Sequence, residues 1–206
     1  MLPWPLATGD ELRERLLHAW STGRGYHDER HLAEVLDRLD ELGAHGTEVA
    51  LAAWFHDAVY ETSPQSPGAT SNEELSARMA TRELEALGVP GLDVAEVARL
   101  VRLTEHHDPA PGDTSGEQLC DADLAILAAA PERYRQYAAD VRRDFAAVPD
   151  ADFTRGRLAV LRDLTGRDHL FRTAYGRAHW DAAARVNLAA EISALEASCG
   201  DAAPPR

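Results

Sequence analysis

Lysine is missing from this chain, and cysteine is scarce. All 21 fixed cationic side chains are therefore arginines, set against 35 aspartates and glutamates, and the formal net charge is −14. A chain this acidic repels the phosphates of duplex DNA and anionic membrane surfaces unless a local basic stripe offsets the charge. We therefore expect neither a nucleic-acid duplex nor a membrane among its partners.

Three further absences concern the compartment. Cys120 and Cys199 are too few to build a disulfide scaffold. No run approaches the roughly 20 apolar residues that a membrane-spanning helix needs. The first residues carry no cationic segment followed by an apolar one, so no secretory signal is predicted. These absences favour a reducing compartment, and we expect a cytoplasmic protein.

Apolar residues do recur at intervals of three and four along almost the whole chain, which predicts an all-α fold. We expect a single domain over 1–206, with a helical core over about 10–145, a C-terminal helical extension over about 150–199 and a disordered tail over 200–206. The predicted helices cover about 10–22, 28–42, 47–60, 71–88, 92–105, 117–129, 132–147, 152–165 and 177–198.

Four potential metal ligands lie among apolar neighbours on three of these helices: His31, His56, Asp57 and Asp123. A charged group in such a place is costly unless it is paired or bound to a cation. The His-Asp pair follows LAAWF in a helix that is apolar on nearly all sides, which we expect to be the buried centre of the fold. Mixed nitrogen and oxygen ligands suit Mn, Fe, Co, Ni, Zn or Mg. The pattern predicts one divalent ion, with room for a second.

The order His, His-Asp, Asp resembles the HD-domain metal-dependent phosphohydrolases. The segments YHDERHL, AAWFHDAVYE, SNEELSA, LTEHH and CDADLAILA are similar to a bacterial subgroup of predicted HD phosphohydrolases, and the likeness extends to about Leu195. The family places its last ligand in an Ala-Asp pair, which favours Asp123 over Asp121. The resemblance implies an HD-like helical bundle that hydrolyses a phosphoester, such as a nucleotide or a related small molecule, with metal-activated water.

The resemblance also implies roles for single residues. YHDERHL is similar to the segment of cyclic-nucleotide phosphodiesterases in which the first His is a general acid and the second a ligand, here His27 and His31. Positions four apart lie on one helical face, so His27 would stand one turn from the ion. We expect Asp57 to contribute to catalysis as well as to metal binding. Glu73, in the first turn of its helix, is the candidate to hold a metal-bound water.

The expected substrate contacts are His107, Arg142 and Arg157. His107, at a helix end, could instead complete a two-metal site, and the two arginines are cationic candidates for a phosphate group. HDAVYET is similar to guanosine-tetraphosphate hydrolases, but Thr62 stands where those enzymes have Asp. That departure puts hydrolysis of guanosine tetraphosphate in doubt.

Two other classes of function stay open on the sequence. One is a metal-containing protein that binds or senses a nucleotide without turnover. The other is a di-iron HD oxygenase, for which His106 or His107 would be an additional ligand. The sequence leaves a homo-oligomer open as well.

Overall fold

A computed structural model describes residues 2–62 and 69–200, with only the backbone described for Cys199 and Gly200. Within these residues the chain is helical and contains no strand, which confirms the predicted all-α class. The helices are α1 (Asp10–Ser21), α2 (Glu29–Glu41), α3 (Thr47–Phe55), α4 (Asn72–Leu87), α5 (Val94–Leu103), α6 (Thr114–Leu124), a 3₁₀ turn (Ala125–Ala128), α7 (Pro131–Asp144), α8 (Asp150–Gly166), α9 (Ala174–His179) and α10 (Asp181–Gly200).

Some expectations fall outside the described residues. Gly200 ends α10, and the remainder of the predicted disordered tail, 201–206, is not described. The same holds for 63–68, in the loop between α3 and α4. Among the described helices, none combines the length and the apolar character needed to cross a bilayer.

The apolar helix α3 lies at the centre of the first half of the fold, packed against α2, α4, α5 and α6. Its last five residues, 51–55, are fully buried, as its all-round apolar character predicts. The predicted continuation of this helix to residue 60 is wrong. The helix ends at Phe55, and the chain turns there because the Ala58 N–H donates to the Phe55 carbonyl at 2.9 Å. His56 and Asp57 therefore occupy the C-terminal end of the most buried helix.

Two hydrophobic clusters make up the interior. The first is built from α1 to α6, and the second from the 3₁₀ turn and α7 to α10 together with Tyr26. The helix predicted over 177–198 is in fact two helices that meet at Trp180. The Trp180 ring is buried against Phe171, at 5.4 Å between ring centroids, and against Tyr175 at 5.5 Å. The chain changes direction between α9 and α10 at this packed ring, and helical periodicity alone does not reveal such a break.

Candidate metal centre

Three of the predicted ligands meet at one buried point. His31 lies in the first turn of α2, His56 follows α3, and Asp123 lies near the end of α6. The His31 Nε2 atom is 3.2 Å from His56 Nε2 and 3.1 Å from Asp123 Oδ1, while His56 Nε2 is 3.6 Å from that oxygen. Neighbouring ligands of an octahedral ion bound at about 2.1 Å are themselves about 3 Å apart. The spacing of the three side chains fits one ion.

Asp57 borders this group without being as central to it. Its Oδ2 atom lies 3.4 Å from His56 Nε2 and 4.0 Å from His31 Nε2. Among the described residues, the set of potential ligands whose atoms all lie within 4.8 Å of one another consists of His31, His56 and Asp123. Asp57, the residue after His56, could therefore bind the same ion as the two histidines.

Hydrogen bonds and charges prepare His56 and His31 for a cation. The His56 Nδ1–H donates to the Ala53 carbonyl at 2.8 Å, which leaves the Nε2 lone pair facing the cluster. Burial lowers the pKa of His31. Burial alone would also lower the pKa of His56, but the carboxylates of Asp57 and Asp123 outweigh it and raise that pKa. Two neutral imidazoles with facing Nε2 lone pairs repel each other unless a cation or a proton lies between them.

Asp123 is charged in spite of its burial. Burial by itself would raise its pKa, but contacts with His56, His107 and His31 outweigh that effect and hold the pKa well below its usual range. An ionised carboxylate beside two imidazole nitrogens is the mixed oxygen and nitrogen set that divalent transition metals and Mg²⁺ accept. The donor set therefore fits a divalent ion.

Asp121, the alternative ligand, faces elsewhere. Its carboxylate accepts hydrogen bonds from the Arg172 N–H at 2.7 Å, from the Thr173 N–H at 2.8 Å and from the Thr173 hydroxyl at 2.7 Å. Residues two apart on an α-helix point about 200° away from each other. The structure thus brings Asp123 to the histidines and gives Asp121 to the segment that precedes α9.

His107 also reaches the cluster. Its Nε2 atom is 2.8 Å from Asp123 Oδ2, on the carboxylate that faces the two histidines. Its backbone φ is +50°, the one positive value at a non-glycine residue in the described chain, and such strain is retained where the surroundings enforce it. The Arg167 guanidinium contributes by donating to the carbonyls of His106 and His107, at 3.1 and 3.4 Å.

His27 stands at the edge of the cluster, held by a carboxylate from α7. Its Nδ1 is 3.1 Å from Asp144 Oδ2, and its Nε2 is 4.0 Å from Asp57 Oδ2. The expected position of His27 on the same helical face as His31 is wrong. The Asp28 carboxylate caps α2, which begins at Glu29, so His27 lies in the turn before the helix. The two imidazoles are still neighbours, with ring centroids 5.6 Å apart.

Asp144 is a site residue that the sequence reasoning missed. Besides His27, it accepts hydrogen bonds from the backbone N–H groups of Gly25 and Tyr26. Burial alone would raise the pKa of Asp144, but these three hydrogen bonds outweigh it and keep the pKa below its usual value. Gly25 is required for the close approach, because a Cβ there would lie 2.3 Å from the Asp140 carbonyl oxygen.

Arg24 was missed as well. Its guanidinium donates to the carbonyls of His27 at 2.9 Å, Asp57 at 2.7 Å and Ala58 at 3.2 Å, so it ties the turn before α2 to the His-Asp segment. It lies over the Tyr60 ring, 5.4 Å from the centroid, and Tyr60 in turn packs on His27. Burial lowers the pKa of Arg24. As one arginine among 21, it carried no signal in the sequence.

The remaining predicted site residues have different surroundings. Burial raises the pKa of the Glu73 carboxyl, and the negative charges of Asp57 and Glu105 add to that shift. Arg142 and Arg157 are not brought to the cluster. Arg142 donates to Asp150 and to carbonyls between α7 and α8, and Arg157 forms an ion pair with Glu191 on α10 at 2.8 Å. These contacts give both arginines a part in joining helices.

Comparisons of the chain with protein-family models, with curated proteins and with solved structures each return no match. The functional class must therefore come from the chemistry of the residues themselves.

Proposed function

We propose that this protein is a metal-dependent hydrolase of phosphoesters. The observation that carries the proposal is the meeting of His31, His56 and Asp123, from three different helices, at one buried point bordered by Asp57. A structural zinc site is usually tetrahedral and rich in cysteine. The set seen here has only nitrogen and oxygen donors, which suits Mn, Fe, Co, Ni, Zn or Mg and leaves positions open for water and substrate.

The four residues would hold the ion, and His27 would handle a proton. A divalent ion supplies a bound water of lowered pKa and polarises a phosphoryl oxygen. The hydrogen bond between His27 Nδ1 and Asp144 orients the ring so that Nε2 faces the metal cluster, 4.0 Å from Asp57. A protonated His27 in that position can give its proton to the leaving oxygen of a phosphoester. Glu73 is the candidate to hold a metal-bound water.

Arginines that precede and follow His27 support a phosphorylated substrate. An open cavity of about 530 Å³ is lined by Arg24, Arg30 and Arg143 together with Asp28 and Asp140, and Asp140 pairs with both Arg30 and Arg143. The lining contains none of the four candidate ligands. This volume lies within the range of small-molecule sites. We place the substrate phosphates against these arginines in preference to Arg142 and Arg157, and His107 beside Asp123 is the candidate for substrate contact or for a second ion. A nucleotide or a related small phosphoester fits this description.

The test combines metal analysis with a hydrolysis screen. The purified protein is analysed for bound metals and assayed with a panel of nucleotides and model phosphoesters in the presence of Mn²⁺, Fe²⁺, Co²⁺, Ni²⁺, Zn²⁺ and Mg²⁺. The Asp57→Ala variant should lose both metal and turnover, whereas Asp37→Ala, a surface carboxylate on α2, should keep both. Full metal content and turnover in Asp57→Ala would contradict the proposal.

The same screen separates the two other classes. A nucleotide that binds the metal-loaded protein and is never hydrolysed would favour a binding or sensing protein. A pair of bound irons together with oxygen consumption would favour a di-iron oxygenase.

A further inference from the structure

A small cavity of about 80 Å³ adjoins the candidate metal centre between α2, the end of α6 and the start of α7. Two candidate ligands, His31 and Asp123, form part of its wall, and Tyr26, Glu34 and Arg133 supply the other polar groups nearest to them. The cavity is too small for a nucleotide, since sites for small molecules usually start at about 300 Å³. It is large enough for water, which needs only about 15 Å³.

Three buried polar atoms of this wall have no hydrogen-bond partner among the described residues: His31 Nδ1, the Tyr26 hydroxyl and Arg133 Nη1. The other two guanidinium nitrogens of Arg133 are occupied by Glu34, at 2.9 and 2.8 Å. Buried polar groups in native proteins are nearly always paired, with protein or with ordered water. These atoms belong to three residues that line one cavity, which favours a ligand that the three residues share.

The two histidines of the metal centre differ in this respect. A metal-binding histidine almost always donates its second N–H to a carboxylate, a carbonyl or a water. His56 does so through its 2.8 Å contact with the Ala53 carbonyl. The corresponding nitrogen of His31 is buried and has no hydrogen-bond partner among the described residues. The adjoining cavity, which His31 lines, is a source for this missing partner.

The charged and polar groups that line the cavity indicate what kind of molecule could pair with His31 Nδ1. Two arginines, Arg38 and Arg133, are balanced there by Glu34 and Asp123. The Arg133 guanidinium is already paired with Glu34, and a metal-bound His31 presents its Nδ1 as a donor. A neutral molecule that accepts one hydrogen bond and can give others meets these requirements, and water is the smallest.

We propose that ordered water in this cavity accepts the His31 Nδ1–H and links it to the Tyr26 hydroxyl and Arg133 Nη1. Tyr26 and Arg133 are then positioning residues, which act on the metal through His31. The inference rests on the proposed metal site, and it adds that metal affinity depends on a hydroxyl group that touches neither the metal nor the substrate.

The test measures the dissociation constant for Mn²⁺ by titration calorimetry, without reference to turnover. Tyr26→Phe removes the hydroxyl and keeps the ring, and we expect about tenfold weaker binding, in line with other losses of such support. Tyr137→Phe is the matched control. Its ring packs on Tyr26 at 4.5 Å between centroids, and its hydroxyl accepts from Arg157, but it does not line the cavity. The control should bind Mn²⁺ as the wild type does.

A second variant tests the water itself. Ala129 also lines the cavity, so Ala129→Leu fills part of it and keeps all three polar groups. We expect weaker Mn²⁺ binding from Ala129→Leu, and no additional loss when it is combined with Tyr26→Phe, because both remove the same water. An unchanged Mn²⁺ affinity in a folded Ala129→Leu protein, verified by circular dichroism, would overturn the proposal.

A high-resolution crystal structure gives an outcome that needs no variant. We expect ordered water within hydrogen-bonding distance of His31 Nδ1 and of the Tyr26 hydroxyl. A dry cavity, or a bromide ion found there by anomalous scattering after a soak, would overturn the proposal. If the wild type binds no divalent ion, the proposed function and this inference both fail. If only the affinity of Tyr26→Phe is unchanged, the inference alone fails.

Discussion

Asp121 and Asp123 are two residues apart in α6, yet their carboxylates serve different parts of the molecule. Asp123 faces the histidines, and Asp121 accepts three hydrogen bonds from Arg172 and Thr173. Gly176, one turn further along, must lack a side chain because a Cβ would lie 2.6 Å from Asp121 Oδ2. Mutation of each aspartate should therefore change a different property.

We expect Asp121→Asn to destabilise the fold by about 2–3 kcal/mol, because the amide cannot accept all three hydrogen bonds and brings an unpaired donor into a buried place. The Mn²⁺ affinity of the folded variant should be unchanged. Asp123→Asn should instead lose metal binding. Urea denaturation and Mn²⁺ titration measure the two properties. Loss of metal binding in a stably folded Asp121→Asn protein would show that the assignment of the two aspartates is wrong.

Asp144 should matter for proton transfer and not for metal binding. We expect Asp144→Asn to lower the turnover of an alkyl phosphoester about 100-fold, within the range of general-acid contributions, because His27 loses its orienting partner. A nitrophenyl ester has a leaving group that needs no proton, so its turnover should fall much less. His27→Ala should show the same selectivity, with unchanged metal content in both variants. An equal loss on the two esters would instead indicate a general structural defect.

At the scale of helices, local signals predicted much of the fold. The helix predicted to begin at about residue 71 is present as α4, and the Ser71 hydroxyl caps it by accepting from the Glu74 N–H at 3.2 Å. The Glu74 carboxylate is held by Arg78 and Arg102. The predicted stop at Gly88 is also present, with a φ of +63° that glycine adopts readily. These features depend on residues within one turn of each other.

The unpredicted parts of the site depend on distant partners. Asp144 is 117 residues from His27, and Thr173 is 52 residues from Asp121. No periodicity links such positions, since the contact exists only once α7 and the segment before α9 have packed. Arg24 could not be chosen for a similar reason, because its role comes from the carbonyls of another segment. The candidate metal ligands could be identified from the sequence because histidine and aspartate are unusual among apolar neighbours.

Helix α6 carries the candidate ligand Asp123, and the contacts at its N-terminus can be tested by mutation. Asp113 caps this helix by accepting from the Gly116 N–H at 3.0 Å, and it forms an ion pair with Arg99 of α5 at 2.7 Å. We expect Asp113→Ala to lower the free energy of unfolding by about 1–2 kcal/mol, through loss of the cap and of the partly exposed ion pair. Asp113→Asn keeps the capping oxygen and should lose about half as much.

The same variants should differ in their pH dependence. The hydrogen bonds from Arg99 lower the pKa of Asp113 in the folded protein. The ion-pair contribution is therefore fully present above the unfolded pKa of about 3.9 and is lost as the pH falls through the lowered folded value. The stability difference between the wild type and Asp113→Asn should shrink below about pH 4, as measured by urea denaturation at each pH. A difference that stays constant to the lowest pH would show that the ion pair contributes nothing.

At the scale of the whole molecule, polar contacts join the two hydrophobic clusters close to the metal centre. The Arg133 guanidinium of α7, in the second cluster, donates to the Glu34 carboxylate of α2, in the first, at 2.9 and 2.8 Å. Asp121 makes the second connection, through Thr173. We therefore expect the two clusters to unfold together, although all the candidate ligands come from helices of the first.

The four tryptophans allow this cooperativity to be measured. Trp20 and Trp54 are buried in the first cluster and Trp4 packs against it, whereas Trp180 belongs to the second. The fluorescence of a Trp180→Phe variant thus reports the first cluster alone, while its far-ultraviolet circular dichroism reports all the helices. We expect both signals to give the same midpoint on heating. An additional transition seen only by circular dichroism would show that the second cluster unfolds separately.

The same two signals of the Trp180→Phe variant can be compared with Mn²⁺ present, to test the candidate metal centre. Mn²⁺ at 100 times its dissociation constant stabilises the folded state by about 2.7 kcal/mol, which corresponds to about 5–10 °C for a chain of this length. In the Trp180→Phe protein both signals should rise together by that amount, because the contacts of Arg133 with Glu34 and of Thr173 with Asp121 connect the two clusters. Asp123→Asn should show no rise with Mn²⁺. A metal-dependent shift confined to the fluorescence signal would mean that the C-terminal helices are energetically independent of the metal centre.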